Sequence, residues 1–218
     1  MPTDDMEITP ELLLNAYAAG VFPMAEGRDG QTRWVDPHRR GVIPIDGLHV
    51  SRSLKKRIRR GGFEIRVDTE FAAVVDACAD RDETWINDEI RSLYAELHRL
   101  KFAHSVELWV DGQLSGGLYG VRLGAAFFGE SMYSTTPDAS KIALVWLTAR
   151  LRAGGFTLLD TQFVTDHLLT MGGVEISRGA YRKRLSYATQ QPADWSALPG
   201  DLSTEQVLSL AMSSAVIG

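Results

Sequence analysis

Glu130, Asp160 and Gln162 are the side chains whose type and spacing point most directly to chemistry. Glu130 follows Phe127-Phe128-Gly129, at the end of a hydrophobic strand, where a carboxylate either caps the next turn or faces a cleft. Asp160 and Gln162 close the run Leu158-Leu159-Asp160-Thr161-Gln162, and their i, i+2 spacing puts both on one strand face. A neutral amide oriented by a carboxylate can hold an amine by accepting its proton in a hydrogen bond. The plainer alternative is that Asp160 ends its strand and caps the following turn. Ser131 and Ser134 can hydrogen-bond nearby, with turn capping the expected role of Ser134. His104 and His167 read as hydrogen-bonding or packing residues, and no His/Cys/carboxylate cluster has metal-ligand spacing, so no metal is expected. Cys78, in an Ala-rich helix without a neighbouring histidine, reads as a buried apolar residue, which disfavours a cysteine nucleophile.

The elements that must position these groups can be read from pattern. Ile8 to Gly20 predicts a short helix with Thr9 as N-cap, Pro10 at the first helical position and Gly20 as the stop. Phe63 to Val67 has strand period, and Asp68 or Thr69 is expected to cap a helix through Ala79. A helix from about Asn87 to Leu100 carries Ile90, Leu93, Tyr94, Leu97 and Leu100 on one face. Strands Ser105 to Val110 and Leu114 to Val121 flank Asp111-Gly112, a strong hairpin signal, and a third strand spans Ala125 to Gly129. Asp138 to Ala153 reads as helix and Phe156 to Asp160 as strand. Thr165 to Met171 and Ser177 to Leu185 read as short helices. The class is α+β with an antiparallel meander. The expected division is a small N-terminal lobe over 1–47, a catalytic domain over 48–190, and a peripheral or partly disordered tail over 191–218, where Pro192, Pro199 and small residues gather.

Composition narrows the function classes. The 218 residues, 44% hydrophobic and 23% charged, are those of a globular chain with a sizeable core. No apolar run approaches the roughly 18 residues needed to cross a bilayer, and the acidic start (Asp4, Asp5, Glu7) is no signal peptide. One cysteine rules out an internal disulfide, and a cytoplasmic protein is expected. Net charge is −5, yet Ser51 to Arg60 holds six positive charges and no negative one, which leaves −11 on the rest. Such a block is either a solvated helix face or a contact for a polyanion, and backbone phosphates are the natural target. Arg40, Arg52, Lys55, Lys56 and Arg59 are the candidate contacts.

Phe127-Phe-Gly-Glu-Ser-Met-Tyr-Ser134 with Leu158-Leu-Asp-Thr-Gln162 resembles the leucyl/phenylalanyl-tRNA–protein transferases, and the resemblance runs from about Glu11 to Leu185. Members of that family move an amino acid from its tRNA onto a protein N-terminus. The resemblance implies an N-acetyltransferase-like domain in which Asp160 polarises or positions Gln162, Gln162 contacts the attacking α-amine, and Glu130 contacts polar groups of the substrate. It implies Leu-tRNA or Phe-tRNA as donor and proteins beginning with Lys or Arg as acceptors. No cofactor is implied, because aminoacyl-tRNA is a substrate. The aminoacyl pocket is expected from Phe127, Leu118, Leu144 and Leu158, although core packing is the alternative for each and, for the leucines taken singly, the stronger reading. Trp34, Trp85, Tyr94 and Tyr17 are the candidates for stacking on, or lining the entry of, the terminal adenosine; Trp34 stands out because it sits among polar turn residues. A monomer is expected. Many relatives carry an extension before the first helix, where this chain nearly begins, and Met24 stands where an aromatic often follows Pro23.

Three other readings compete. A related transferase acting on Asp/Glu N-termini differs little in sequence. An acetyl-CoA-dependent acetyltransferase needs a glycine-rich loop before its long helix, and Thr135 to Lys141 contains no glycine. A non-catalytic RNA-binding protein leaves Glu130, Asp160 and Gln162 without a task.

Overall fold

The computed structural model describes residues 8–28, 30–81 and 84–212. Asp4, Asp5 and Glu7, and the last six residues of the expected tail, lie outside them. Helix α1 (Pro10–Ala19) begins as its sequence dictates: the Thr9 hydroxyl accepts Leu12 N–H at 3.2 Å and Pro10 opens the helix. It ends at Gly20, whose φ of +84° is left-handed and whose Cα lies so near the Tyr181 ring that a Cβ would sit 3.2 Å from it. The short strands β1 (Phe22–Ala25) and β2 (Thr32–Val35) then pair as a separate hairpin.

Seven strands form the central sheet: β3 (Arg39–Ile43), β4 (Glu64–Val67), β5 (Ala103–Val110), β6 (Gln113–Leu123), β7 (Ala126–Ser134), β8 (Leu158–Gln162) and β9 (Val174–Ser177). Their order is β4-β5-β6-β7-β8-β3-β9, and the one parallel pair is β7–β8. The β5–β6 hairpin turns at Asp111-Gly112, both at positive φ, as the sequence predicts. Parallel neighbours need a crossover, here the helix α5 (Ala139–Ala153).

Two helical layers cover the sheet. On one face lie α5, α2 (Arg52–Arg60), the short α6 (Asp166–Thr170) and α8 (Thr204–Met212); on the other, α1, α3 (Phe71–Ala79), α4 (Asp88–Arg99) and α7 (Arg178–Thr189). Strand alternation divides the core between them: Phe127 stacks on Trp195 at 5.4 Å, while Phe128 meets Tyr17 at 4.7 Å on the opposite face.

Mixed α+β architecture with an antiparallel meander is what the pattern predicts. Several details differ. β3 lies inside the central sheet between β8 and β9, and Leu13, Tyr17 and Phe22 share one core with Phe128, so the N-terminal residues do not pack apart. The tail is not merely peripheral: Trp195 and Leu198 are buried and α8 inserts Val207, Leu208 and Ala211 against α5. β7 continues to Ser134, so Glu130 lies inside a strand, and Asp160 is mid-strand too. Neither Asp68 nor Thr69 caps α3. Asp68, at φ +57°, accepts Ser105 N–H at 2.9 Å and bonds His104 Nδ1 at 2.7 Å. The buried Glu107 carboxylate on β5 instead accepts the N–H groups of Thr69 and Glu70, at 2.9 and 2.8 Å.

Candidate active site

The parallel ladder of β7 and β8 is three pairs long and ends at Phe128↔Asp160. A register shift between Tyr119 and Gly120 bulges β7 just there. Gly120 permits it, since a Cβ would come within 2.2 Å of the Phe128 carbonyl oxygen. Beyond that point Gly129–Ser134 of β7 with the following Thr135, and Leu159, Thr161, Gln162 and the following Phe163 at the end of β8, line one cavity of about 820 Å³. Glu130 and Gln162 face each other across this opening.

Gln162 has φ +63°, a left-handed backbone that costs a non-glycine residue roughly 1–3 kcal/mol. Asp160 holds it there: Oδ1 accepts the Gln162 N–H at 2.7 Å. The carboxamide then turns to Glu130, with Nε2 donating to Oε2 at 2.9 Å. Tyr17 donates to Glu130 Oε1 at 2.7 Å and Tyr94 to Oε2 at 2.8 Å, their hydroxyls 2.9 Å apart. With both carboxylate oxygens accepting, the amide must present its NH₂ to Glu130. Oε1 of Gln162 takes no hydrogen bond from the described residues and is left for a donor entering the cavity.

Burial pushes the Glu130 carboxyl up to about 7, although the Tyr17, Tyr94 and Gln162 hydrogen bonds pull it down; the negative charge of Asp160 adds to the rise. Burial beside Glu130 likewise holds the Tyr17 and Tyr94 hydroxyls well above their ordinary range, so both act as donors.

Asp160 is itself fully buried and its other partners lie beneath the cavity. Arg40 donates Nε to Oδ1 at 3.0 Å and Nη2 to Oδ2 at 2.6 Å, and Tyr181 donates to Oδ2 at 2.6 Å. The Arg40 guanidinium is sandwiched between the Phe22 and Tyr181 rings at 4.4 and 4.5 Å and gives Nη1 to the Gly20 carbonyl at 3.0 Å. Burial works against its charge, and Asp160 more than offsets that and raises its pKa.

The structure therefore assembles Glu130, Asp160 and Gln162, but Asp160 acts on the Gln162 backbone, not its carboxamide. Of the expected pocket residues, Leu118 and Leu144 line the cavity. Phe127 is buried against Trp195, and Leu158 faces the opposite core; the alternation of β8 turns Leu159 to the cavity instead. Met132, Leu147 and Leu168 complete its apolar wall. Trp85 lines the cavity, whereas Trp34 is 40% exposed on the hairpin and is not part of the lining. Tyr17 and Tyr94, expected to stack on a base, are fully buried behind Glu130 and cannot meet one. Arg40, expected on a phosphate contact, is 1% exposed and committed to Asp160. Its signal lies in the sequence: it is two residues before the apolar Val42 on a strand and so shares its inward face. Tyr181, missed as well, lies on the same helical face as Leu185 and Ala188.

On α2, Leu54 and Ile58 are buried while Arg52, Lys56, Arg59 and Arg60 are exposed and Lys55 and Arg57 half-buried. Arg59 is engaged by Glu205 of α8 at 2.6 Å. Cys78 is buried, its thiol pushed up to about 12 by burial. Among the described residues, no group of three His, Cys, Asp or Glu is placed to hold a metal ion, and no helix is long and apolar enough to cross a membrane.

Comparison with known proteins bears on this site. The family described as "Leucyl/phenylalanyl-tRNA protein transferase" matches residues 42–186, and its N-terminal domain matches residues 6–38. The chain is 60% identical to the "Leucyl/phenylalanyl-tRNA--protein transferase" of Ruegeria sp. (strain TM1040) over 191 residues, 87% of this chain and 91% of that one. It is 55% identical to the protein of that name from Jannaschia sp. (strain CCS1), over 89% of this chain and 92% of the other. A solved structure of L-PGS from Bacillus licheniformis aligns with TM-score 0.39 and 15% identity, over 75% of this chain and 56% of that one. The chain belongs to the leucyl/phenylalanyl-tRNA–protein transferase family and is an aminoacyltransferase.

Proposed function

We propose that this transferase moves Leu or Phe from the 3′ end of its tRNA to the α-amine of proteins beginning with Lys or Arg, and that the cavity between β7 and β8 is where the two meet. The observation that carries the reading is the Gln162 carboxamide, fixed at Nε2 by Glu130 with Oε1 free at the cavity that both residues line. The donor ester is already activated, and the acceptor amine has an ordinary pKa of about 7.7–8.0. The site must therefore orient more than it must ionise.

In the proposed reaction Gln162 Oε1 accepts a hydrogen bond from the neutral α-amine and aims its lone pair at the ester carbonyl carbon. The C–N bond forms, the ester C–O bond to ribose breaks, and the amine proton ends on the ribose oxygen. Glu130 holds the carboxamide in the accepting orientation, and Asp160 with Arg40 and Tyr181 holds the turn that carries it. Leu118, Met132, Leu144, Leu147, Leu159 and Leu168 suit an unbranched-at-Cβ donor side chain. Trp85 is the stacking candidate for the terminal adenosine, and the exposed cations of α2 are the candidates for the tRNA backbone.

We read the fold as N-acetyltransferase-like; a parallel pair that parts around the reacting groups, after an antiparallel meander, supports this. A cytoplasmic monomer without cofactor remains the corresponding expectation, since the ester supplies the driving force. Transfer of labelled leucine from Leu-tRNA to matched peptides beginning with Lys, Asp or Ala tests the reading. Label on the Lys peptide alone is expected. Label on the Asp peptide indicates the sister specificity, and no label anywhere, with tRNA bound, rejects catalysis.

A further inference from the structure

Among the described residues lining the cavity, Arg81 alone carries a permanent positive charge. It follows the C-terminus of α3, is exposed, and reaches across to donate Nη2 to the backbone carbonyl of Met132 on β7. Its Nε and Nη1 take no partner among the described residues, and no described carboxylate lies within ion-pair distance. Arg91, on the neighbouring α4, is by contrast occupied by Asp76 and Asp88. The cavity thus presents a guanidinium that is aimed by one backbone bond and otherwise uncommitted. A planar fork with free donors matches a phosphate better than any other group of the substrates considered.

The choice between the two substrates follows from charge. An acceptor beginning with Lys or Arg brings cations, which Arg81 repels and which the lining carboxylates Asp80 and Glu130 suit instead. The donor brings phosphates, and Trp85, four residues on, lines the same cavity. We propose that Arg81 holds the 5′-phosphate of the terminal nucleotide of the donor tRNA, and so contributes to binding the donor. The inference rests on the reading that this cavity takes the 3′ end.

Adenosine and adenosine 5′-monophosphate, used as competitors of transfer from Leu-tRNA, test it with the full-length protein. The wild type is expected to be inhibited about tenfold more tightly by the monophosphate. In Arg81→Gln the two should inhibit equally, with KM for Leu-tRNA raised and kcat nearly unchanged. Arg81→Lys keeps the charge without the fork and should retain part of the preference. Equal inhibition in the wild type, or a preference that survives in Arg81→Gln, overturns the role of Arg81 while leaving the cavity reading intact. If neither compound competes, the proposal falls together with the reading that the cavity takes the terminal nucleoside.

Discussion

Two arginine–carboxylate pairs in this chain have the same chemistry and opposite surroundings. Arg40 and Asp160 meet at 2.6 Å with side chains 1% and 0% exposed, beneath the cavity. Arg59 and Glu205 also meet at 2.6 Å, but at 53% and 62% exposure, on the helical layer of α2 and α8. The buried pair is over-committed: Tyr181, the Gln162 N–H, the Gly20 carbonyl and two aromatic faces all depend on it. The exposed pair ties down little. Burial, not contact distance, makes one pair part of the active-site scaffold and leaves the other a surface contact on the proposed polyanion-binding face.

Removing one partner should expose the contrast most sharply. Arg40→Ala leaves Asp160 buried without its counter-charge and is expected to cost about 3–5 kcal/mol in urea unfolding, with loss of transfer. An unfolding midpoint close to that of the wild type would mean that the pair is no more structural than its exposed counterpart.

Next in size comes Gln162→Ala, which removes the oriented acceptor but no charge. A fall in kcat of roughly 10²–10³ with Leu-tRNA binding kept is expected, as for loss of one preorganised hydrogen-bonding group. Matching losses of binding and rate would instead assign Gln162 to substrate affinity.

Tyr17→Phe sharpens the comparison in another way. The Tyr17 hydroxyl stabilises the charged form of Glu130, so deleting it should raise that carboxyl further above about 7. The acid limb of the rate profile should then move to higher pH, and a limb that stays put or moves down would detach Glu130 from the titration.

On the exposed side, replacing Arg52 and Lys56 with Ala should raise KM for tRNA. The log–log salt slope should flatten by at most about one unit for each phosphate that is no longer neutralised. An unchanged slope would send the tRNA backbone elsewhere. Arg59→Ala is expected to leave the urea midpoint close to that of the wild type, and a large fall would give its pair with Glu205 a structural weight that its exposure does not suggest.

The same contrast explains what could be read from sequence. Local signals were legible: the Thr9 cap, Gly20 stop and Asp111-Gly112 turn are each decided by one or two residues and their own backbone. The run Glu130, Asp160, Gln162 was legible as chemistry because polar groups on apolar strands need partners. The partners themselves were not. Arg40 and Tyr181 reach Asp160 from 120 and 21 residues away, and Tyr17 reaches Glu130 from 113. Leu158 and Leu159 lie on opposite faces of β8, and only the packing of the two helical layers decides that Leu159 meets the cavity. The dense charge run near it sets Arg40 among the surface cations, although its i, i+2 spacing from the apolar Val42 already places it on an inward strand face.

The most direct test of the central claim, that an ionised Glu130 orients the Gln162 carboxamide, is the pH dependence of single-turnover transfer at saturating Lys-starting peptide. Protonation of Glu130 below about 7 removes the acceptor of the Gln162 amide, and protonation of the α-amine removes the nucleophile, so activity falls as pH falls through both. Log rate is expected to approach a slope of about two below pH ~6.5 in the wild type and about one in Glu130→Gln, which keeps the shape but cannot titrate. A wild-type profile with a single amine-like limb, unchanged in Glu130→Gln, would contradict that role of Glu130.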